Sequence, residues 1–108
     1  MQTSTTFDIA GMRIVRTLGV VRGITVRSPT ISQGLLGGLK GIIGGNIGAY
    51  ADMCEQARAQ AFNLLIQHAQ SLGANAVVGV RYESSDVGGA QSAATEVLCY
   101  GTAVVVAE

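Results

Sequence analysis

Residues 44–83 decide the fold, and they read GGNIGAYADMCEQARAQAFNLLIQHAQSLGANAVVGVRYE. A glycine-rich entry precedes one long amphipathic segment, which ends near Gly73 and leads directly into a strand-like run. At about 100° per residue, the apolar positions gather within a third of the helical circumference. They are Tyr50, Met53, Cys54, Ala57, Ala61, Leu64, Leu65 and Leu72. This spacing predicts a long helix that packs its apolar stripe against the remainder of the domain.

The two ends of this helix are marked differently. Gly73 stands where a left-handed residue closes a helix, and Ala76–Glu83 (AVVGVRYE) follows with the composition of a strand. The glycine-rich segment 34–48 carries leucine and isoleucine at helical spacing, which predicts a short helix. Each interior glycine costs about 1 kcal/mol relative to alanine, so this short helix must depend on what it docks against. It could form a lid, or it could let neighbouring backbones approach closely.

Strand patterns occupy both ends of the chain. Met12–Arg27 is rich in β-branched residues and predicts a first strand that bends or bulges at Gly19 and Gly23. Ser84–Gln91 (SSDVGGAQ) predicts a turn, and TEVLCYGTAVVV after it predicts a last strand, antiparallel to the one before. Residues 1–6 are expected to be a loose terminus or an addition at the sheet edge. The predicted fold is an α+β subunit, β-α-β-β, with a three-stranded, mainly antiparallel sheet.

Both faces of the predicted last strand are largely apolar. Alternation places Glu96, Leu98, Tyr100, Thr102 and Val104 on one face, and Val97, Cys99, Ala103 and Val105 on the other. Because the chain offers only one helix layer, the second apolar face predicts burial against another copy of the chain.

Length and composition restrict the possible functions. The 108 residues fit a single domain, 1–108, with 48% hydrophobic residues and a formal net charge of zero. Neutral charge and few aromatic residues disfavour nucleic-acid binding, and the apolar runs are too short for membrane insertion. The two cysteines show no paired motif, which predicts reduced thiols in the cytoplasm.

Few side chains could carry chemistry. His68 is the single histidine, and its place on the apolar stripe favours a structural role over a catalytic one. Cys54 and His68 share a helix face but are separated by fourteen residues, or roughly 21 Å at 1.5 Å per residue. Cys99 and Glu96 differ in strand parity and so share no face. No catalytic residue is predicted. A metal would need ligands from different strands or subunits, and Cys54, His68 and Cys99 are the candidates.

Four segments together resemble the YbjQ-like family, whose members are described as "putative heavy-metal-binding" domains. The segments are GMRIVRTLGVVRGITVR, GGNIGAYADMCEQARAQAF, SLGANAVVGVRYE and TEVLCYGTAVVV. The most specific matches are GAY at 48–50, Ala57-Arg58, LGANAVVGVRYE at 72–83 and YGTAVVV at 100–106. The resemblance implies a dodecin-like subunit that assembles as a ring-like homo-oligomer, commonly a pentamer, and it implies heavy-metal binding. Neither Cys54 nor Cys99 lies in these most specific matches.

Three functions therefore remain open. The leading expectation is a non-enzymatic, homo-oligomeric binding or scaffold module that has itself as partner. The first alternative is a carrier of soft metal ions with sites between subunits, built from Cys54, Cys99, His68 or Glu96. The second is a small-molecule enzyme with a pocket between subunits that involves Tyr50, Arg58 and Glu96.

Overall fold

The computed structural model describes residues 1–27, 47–87 and 94–108. Within these ranges the elements are β1 (Gln2–Thr3), β2 (Arg13–Arg27), α1 (Ile47–Ser71), β3 (Ala76–Val87) and β4 (Ala94–Ala107). The α+β class and the long central helix agree with the sequence prediction. The predicted short glycine-rich helix lies almost entirely outside the described residues.

The four strands form one mixed sheet in the order β1-β3-β4-β2. β4 pairs antiparallel with β2 on one side and with β3 on the other, as the short connection between β3 and β4 predicted. β1 pairs parallel with β3. The prediction of a three-stranded sheet was therefore wrong, because the N-terminal residues add a fourth strand at the edge.

The helix α1 lies on one side of the sheet, which we call the inner face. Its buried side chains repeat every fourth residue, at Met53, Ala57, Ala61, Leu65 and Ala69. Met53 is buried outside the main core cluster. The other four pack in that cluster with Val21, Val77, Val97 and Cys99 of the strands. Leu72, predicted as part of the stripe, lies just after the helix and is exposed.

The end of α1 follows the predicted chemistry. Gly73 has a φ of +86°, and its N–H donates to the carbonyl of Gln70. The N–H of Ala74 donates to the carbonyl of Ala69. This pair of bonds is a Schellman motif, which satisfies carbonyls that the last helical turn leaves without partners.

The two glycines of β2 have different roles. Gly19 has a φ of +127° and lies at a shift in the register with β4, as expected of a bulge. Gly23 instead pairs with Cys99 in continuous register and is buried beneath α1. The backbone of Ala61 and the atoms of Leu64 and Leu65 occupy the space that a Cβ would need. The predicted interruption at Gly23 is thus a site of close helix packing.

The strand β3 is longer than the sequence predicted. Ser84 to Val87 were assigned to a turn but continue the ladder, with Ser84 opposite Val97 and Val87 opposite Ala94. The remaining predicted turn residues, 88–91, lie outside the described residues. β4 is long enough to hold β3 in register, and this partner outweighs the turn preference of Ser84, Ser85 and Asp86.

The N-terminal segment covers part of the second side of the sheet, which we call the outer face. After β1 it continues along the edge of β3, where Thr6 accepts from the N–H of Gly79. Ile9 and Met12 then pack against a second buried cluster. That cluster consists of Ala76, Val78, Val104 and Val106. The chain itself therefore buries one half of the face that the sequence assigned entirely to another copy.

The subunit is elongated. Its radius of gyration is 17.0 Å and its principal extents are 52 × 21 × 17 Å. A compact domain of this length has a radius of gyration of about 13 Å. Among the described residues, no helix is long and apolar enough to cross a membrane.

Candidate functional site

The half of the outer face that no other described segment covers lies where β2, β4 and β3 run side by side. The register places Val26 beside Glu96, Ile24 beside Leu98, Arg22 beside Tyr100 and Val20 beside Thr102. On the other side of β4, Leu98 pairs with Glu83 and Tyr100 pairs with Arg81. We call this surface the open half of the outer face.

Apolar side chains line the β2 side of the open half. Val20, Ile24 and Val26 are 69%, 46% and 57% exposed. The strand alternation brings Val20, Ile24 and Val26 to one side of the sheet, so they form a column on a single surface. At the β3 edge, Phe7 lies over Gly79 and is 76% exposed. Monomeric proteins rarely leave large contiguous apolar surfaces open to water.

Charged groups fill the β3 side of the open half. The guanidinium of Arg81 lies 5.7 Å from the centre of the Phe7 ring and donates to the carbonyl of Thr5 at 2.9 Å. The Tyr100 hydroxyl donates to Oε2 of Glu83 at 2.9 Å. This hydrogen bond, and then the carboxylate charge, raise the pKa of Tyr100. The open half thus carries two arginines, Arg22 and Arg81, and two glutamates, Glu83 and Glu96, so positive and negative side chains are equal in number.

The thiol of Cys99 lies on the inner face, fully buried beneath α1. It shares a hydrogen bond with the side chain of Tyr82, its register partner on β3. Burial raises the pKa of Cys99, and the hydrogen bond with Tyr82 opposes that change. Burial is the larger effect, so the thiol keeps its proton at neutral pH.

His68, in the last turn of α1, lies beside β2 at the free edge of the sheet. Its Nδ1 accepts a hydrogen bond from the backbone N–H of Arg22 at 3.2 Å. About two helical turns earlier, Oε1 of Gln60 accepts from the Thr25 hydroxyl at 2.9 Å and from the Arg27 guanidinium at 3.0 Å. The helix thus ties itself to the free edge of the sheet, which agrees with a structural role for His68.

Comparison with known proteins gives the family. The sequence profile of the YbjQ family, described as "Putative heavy-metal-binding", matches residues 1–107. This chain belongs to the YbjQ family.

Relatives of this YbjQ-family chain carry the name UPF0145 protein. One from Legionella pneumophila strain Paris is 59% identical over 104 residues, covering 96% of this chain and 94% of that protein. One from Francisella philomiragia is 55% identical over 103 residues, covering 94% and 96%. A crystal structure of a DUF74-family protein of unknown function from Pediococcus pentosaceus has a TM-score of 0.62 and 19% identity. It covers 99% of this chain and 98% of its own, and it shows the shared fold alone.

The family description raises the question of a metal site. Soft metal ions bind to thiolates and to free imidazole lone pairs. Within the described ranges, no group of three or more His, Cys, Asp or Glu side chains could hold an ion. Cys54 is half-buried near the start of α1, and His68 lies fourteen residues further along the same helix. Their separation of roughly 21 Å keeps them from sharing an ion within one subunit.

The proposed pocket residues are not neighbours within one subunit. Arg58 extends from α1 toward Ser84 on the inner face, with Nη2 at 3.5 Å from the hydroxyl. Glu96 lies on the outer face, between Val26 and Ser85. Tyr50 belongs to the first turn of α1. A pocket that contains both Arg58 and Glu96 would require a second subunit, as the sequence prediction stated.

Sequence reasoning missed several structural contacts. Asn75 was assigned no role, yet its side chain bonds both backbone groups of Val106, at 3.0 and 2.8 Å. Phe7 and Arg81 were assigned no contact with each other. Asparagine two residues after a glycine helix cap was a usable signal, because its side chain readily bonds backbone groups. The contact between Phe7 and Arg81 had no such signal, since it depends on the added strand β1.

Proposed function

We propose that this protein is a non-enzymatic scaffold or binding module that assembles with copies of itself through the open half of its outer face. The observation that carries the proposal is the column of Val20, Ile24 and Val26, whose side chains stay about half exposed or more in the described part of the chain. Removing such side chains from water stabilises an assembly by about 25 cal/mol per Å² of apolar surface.

The charges of this surface support a copy of the chain as the partner. Arg22 and Arg81 are balanced by Glu83 and Glu96, and the whole chain has a formal net charge of zero. A surface of one sign would repel its own copy, whereas a mixed surface allows opposite charges to meet. The elongated subunit also buries less of its own surface than a compact one, which favours assembly.

The expected assembly is a ring-like homo-oligomer with dodecin-like subunits, and five subunits are the count that the family resemblance implies. Both cysteines are free, which agrees with the reducing cytoplasm as the proposed compartment. No reaction is assigned to the module. Native mass spectrometry measures the subunit count directly.

Sedimentation equilibrium of the purified protein at micromolar concentrations tests the self-assembly. We expect the wild type to sediment as an oligomer and Ile24→Lys to dissociate, because the substitution places a charge within the apolar column. Asn63→Lys is the matched control, since it adds the same charge on the exposed side of α1. A monomeric wild type, or equal behaviour of the two variants, would contradict the proposal.

A further inference from the structure

A side chain that holds a soft metal ion must offer an available lone pair. A cysteine binds as the thiolate, and a histidine binds through a ring nitrogen that carries no proton. The family description names heavy-metal binding, so the thiol and imidazole groups of this chain can be tested against these requirements.

Cys99 does not meet the requirement for a thiolate. It is buried with 0% exposure, and the helix above it packs so closely that Gly23, its neighbour in the sheet, has no space for a Cβ. Tyr82, its register partner, lies beside it on the side of β3. An ion could reach this sulfur only if α1 or the side chain of Tyr82 moved away.

His68 does not meet the requirement for a free ring nitrogen. Its Nδ1 already accepts the N–H of Arg22, so the neutral ring carries its proton on Nε2. Binding an ion through Nδ1 would displace the Arg22 N–H from its acceptor. Binding through Nε2 would move the ring proton to Nδ1, where it would oppose the N–H of Arg22.

The hydrogen bond from Arg22 gives His68 a structural role instead. β2 is an edge strand of the sheet, and an unpaired N–H on an edge strand is a template for pairing with another chain. His68 closes this position from above, while Gln60 binds the side chains of Thr25 and Arg27 further along the same strand. The edge of β2 is thereby held by α1 and is blocked at Arg22.

We infer that Cys99 and His68 are structural groups, His68 closing the edge of β2 and Cys99 filling the core beneath α1, and that neither is a ligand for the heavy-metal ion of the family description. The inference does not depend on self-assembly. It holds for sites within one subunit and for sites shared between subunits, because both side chains are already engaged within their own subunit.

The first test is amide hydrogen exchange of Arg22, measured by NMR. We expect exchange to be about fivefold faster in His68→Ala than in the wild type, since a hydrogen bond of this kind contributes about 1 kcal/mol. His68→Asn places an acceptor oxygen near the position of Nδ1 and should restore part of the protection. Equal exchange of Arg22 in the wild type and His68→Ala would overturn the role at the edge.

The second test is anaerobic titration with zinc(II) and with copper(I), followed by desalting and elemental analysis. We expect the amount retained per subunit to be the same in the wild type, His68→Asn and Cys99→Val, including the case in which none is retained. The ring nitrogen signals of His68 in the wild type should also stay unchanged on titration. Loss of half or more of the retained metal in either variant, or a stoichiometric shift of the His68 signals, would overturn the inference. The NMR measurement needs no variant, so a variant that fails to fold leaves the test intact.

Discussion

Gly23→Ala is expected to lower the stability of this domain strongly. The added Cβ would lie 2.7 Å from the backbone nitrogen of Leu65 and 2.8 Å from the Cβ of Leu64, and it would overlap the carbonyl of Ala61. All three atoms are rigid parts of α1, so no rotamer change can relieve the contact. The helix or the strand must move.

The size of the effect follows from this geometry. Carbon atoms pack at roughly 3.5 Å, so the contact with Leu64 alone would require α1 to move by about 0.7 Å. The overlap with the Ala61 carbonyl requires a larger movement. Overpacking of this kind costs about 1–3 kcal/mol, and the rigid backbone places Gly23→Ala at about 3 kcal/mol. For a domain of this size that corresponds to a fall in Tm of about 15 °C. Without this contact Gly23→Ala would instead stabilise the domain, because replacing glycine with alanine at an unstrained position raises the free energy of unfolding by about 0.4–1 kcal/mol.

Urea unfolding followed by circular dichroism, at several protein concentrations, measures this loss. Gly73→Ala is the matched control, because Gly73 has a φ of +86° and open space around the missing Cβ. That substitution should cost only the left-handed backbone strain, about 1–2 kcal/mol. If Gly23→Ala loses no more stability than Gly73→Ala, the close contact between α1 and β2 is refuted.

Three further outcomes are expected. Cys54, which is half-buried, should react with a thiol reagent well before the buried Cys99, and equal rates in the native protein would contradict the burial of Cys99. Asn75→Ala should lower stability by about 2 kcal/mol in urea unfolding, since two backbone groups of Val106 lose their partners, while Asn75→Asp should retain the bond from the Val106 N–H. In alkaline ultraviolet titration, Glu83→Gln should lower the raised pKa of Tyr100, because the carboxylate charge opposes the phenolate. The folded pKa is raised, so any stability from this bond is present below the unfolded pKa of about 10 and is lost as the pH rises through the folded value.

The sequence predicted the elements whose signal is local. The stripe at Ala57, Ala61 and Leu65 has the period of a helix, and Gly73 has the chemistry of a helix end. Alternation along β4 also correctly predicted that Cys99 and Glu96 lie on opposite faces of the sheet, because successive side chains of any strand point to opposite faces.

The sequence could not predict contacts that depend on distant parts of the chain. β1 forms because the edge of β3 offers backbone groups to Gln2 and Thr3, and nothing in those two residues marks a strand. The partner of His68 is a backbone N–H, which every residue except proline carries, so no residue type identifies Arg22. The close packing at Gly23 likewise depends on where α1 crosses β2.

The two edges and two faces of the sheet together indicate where a partner can bind. The edge of β2 is held by Gln60 and His68, and the edge of β3 is paired with the N-terminal segment as far as Val80. α1 covers the inner face over β2 and β4, whereas Tyr82 of β3 stays 45% exposed on that face. Ile9 and Met12 cover half of the outer face. Within the described part of the chain, the open half of the outer face exposes Val20, Ile24 and Val26 on one strand, so it is the surface that we expect an apolar partner to bind. This is why Ile24→Lys, and not a change at the blocked edge of β2, is the decisive substitution for self-assembly.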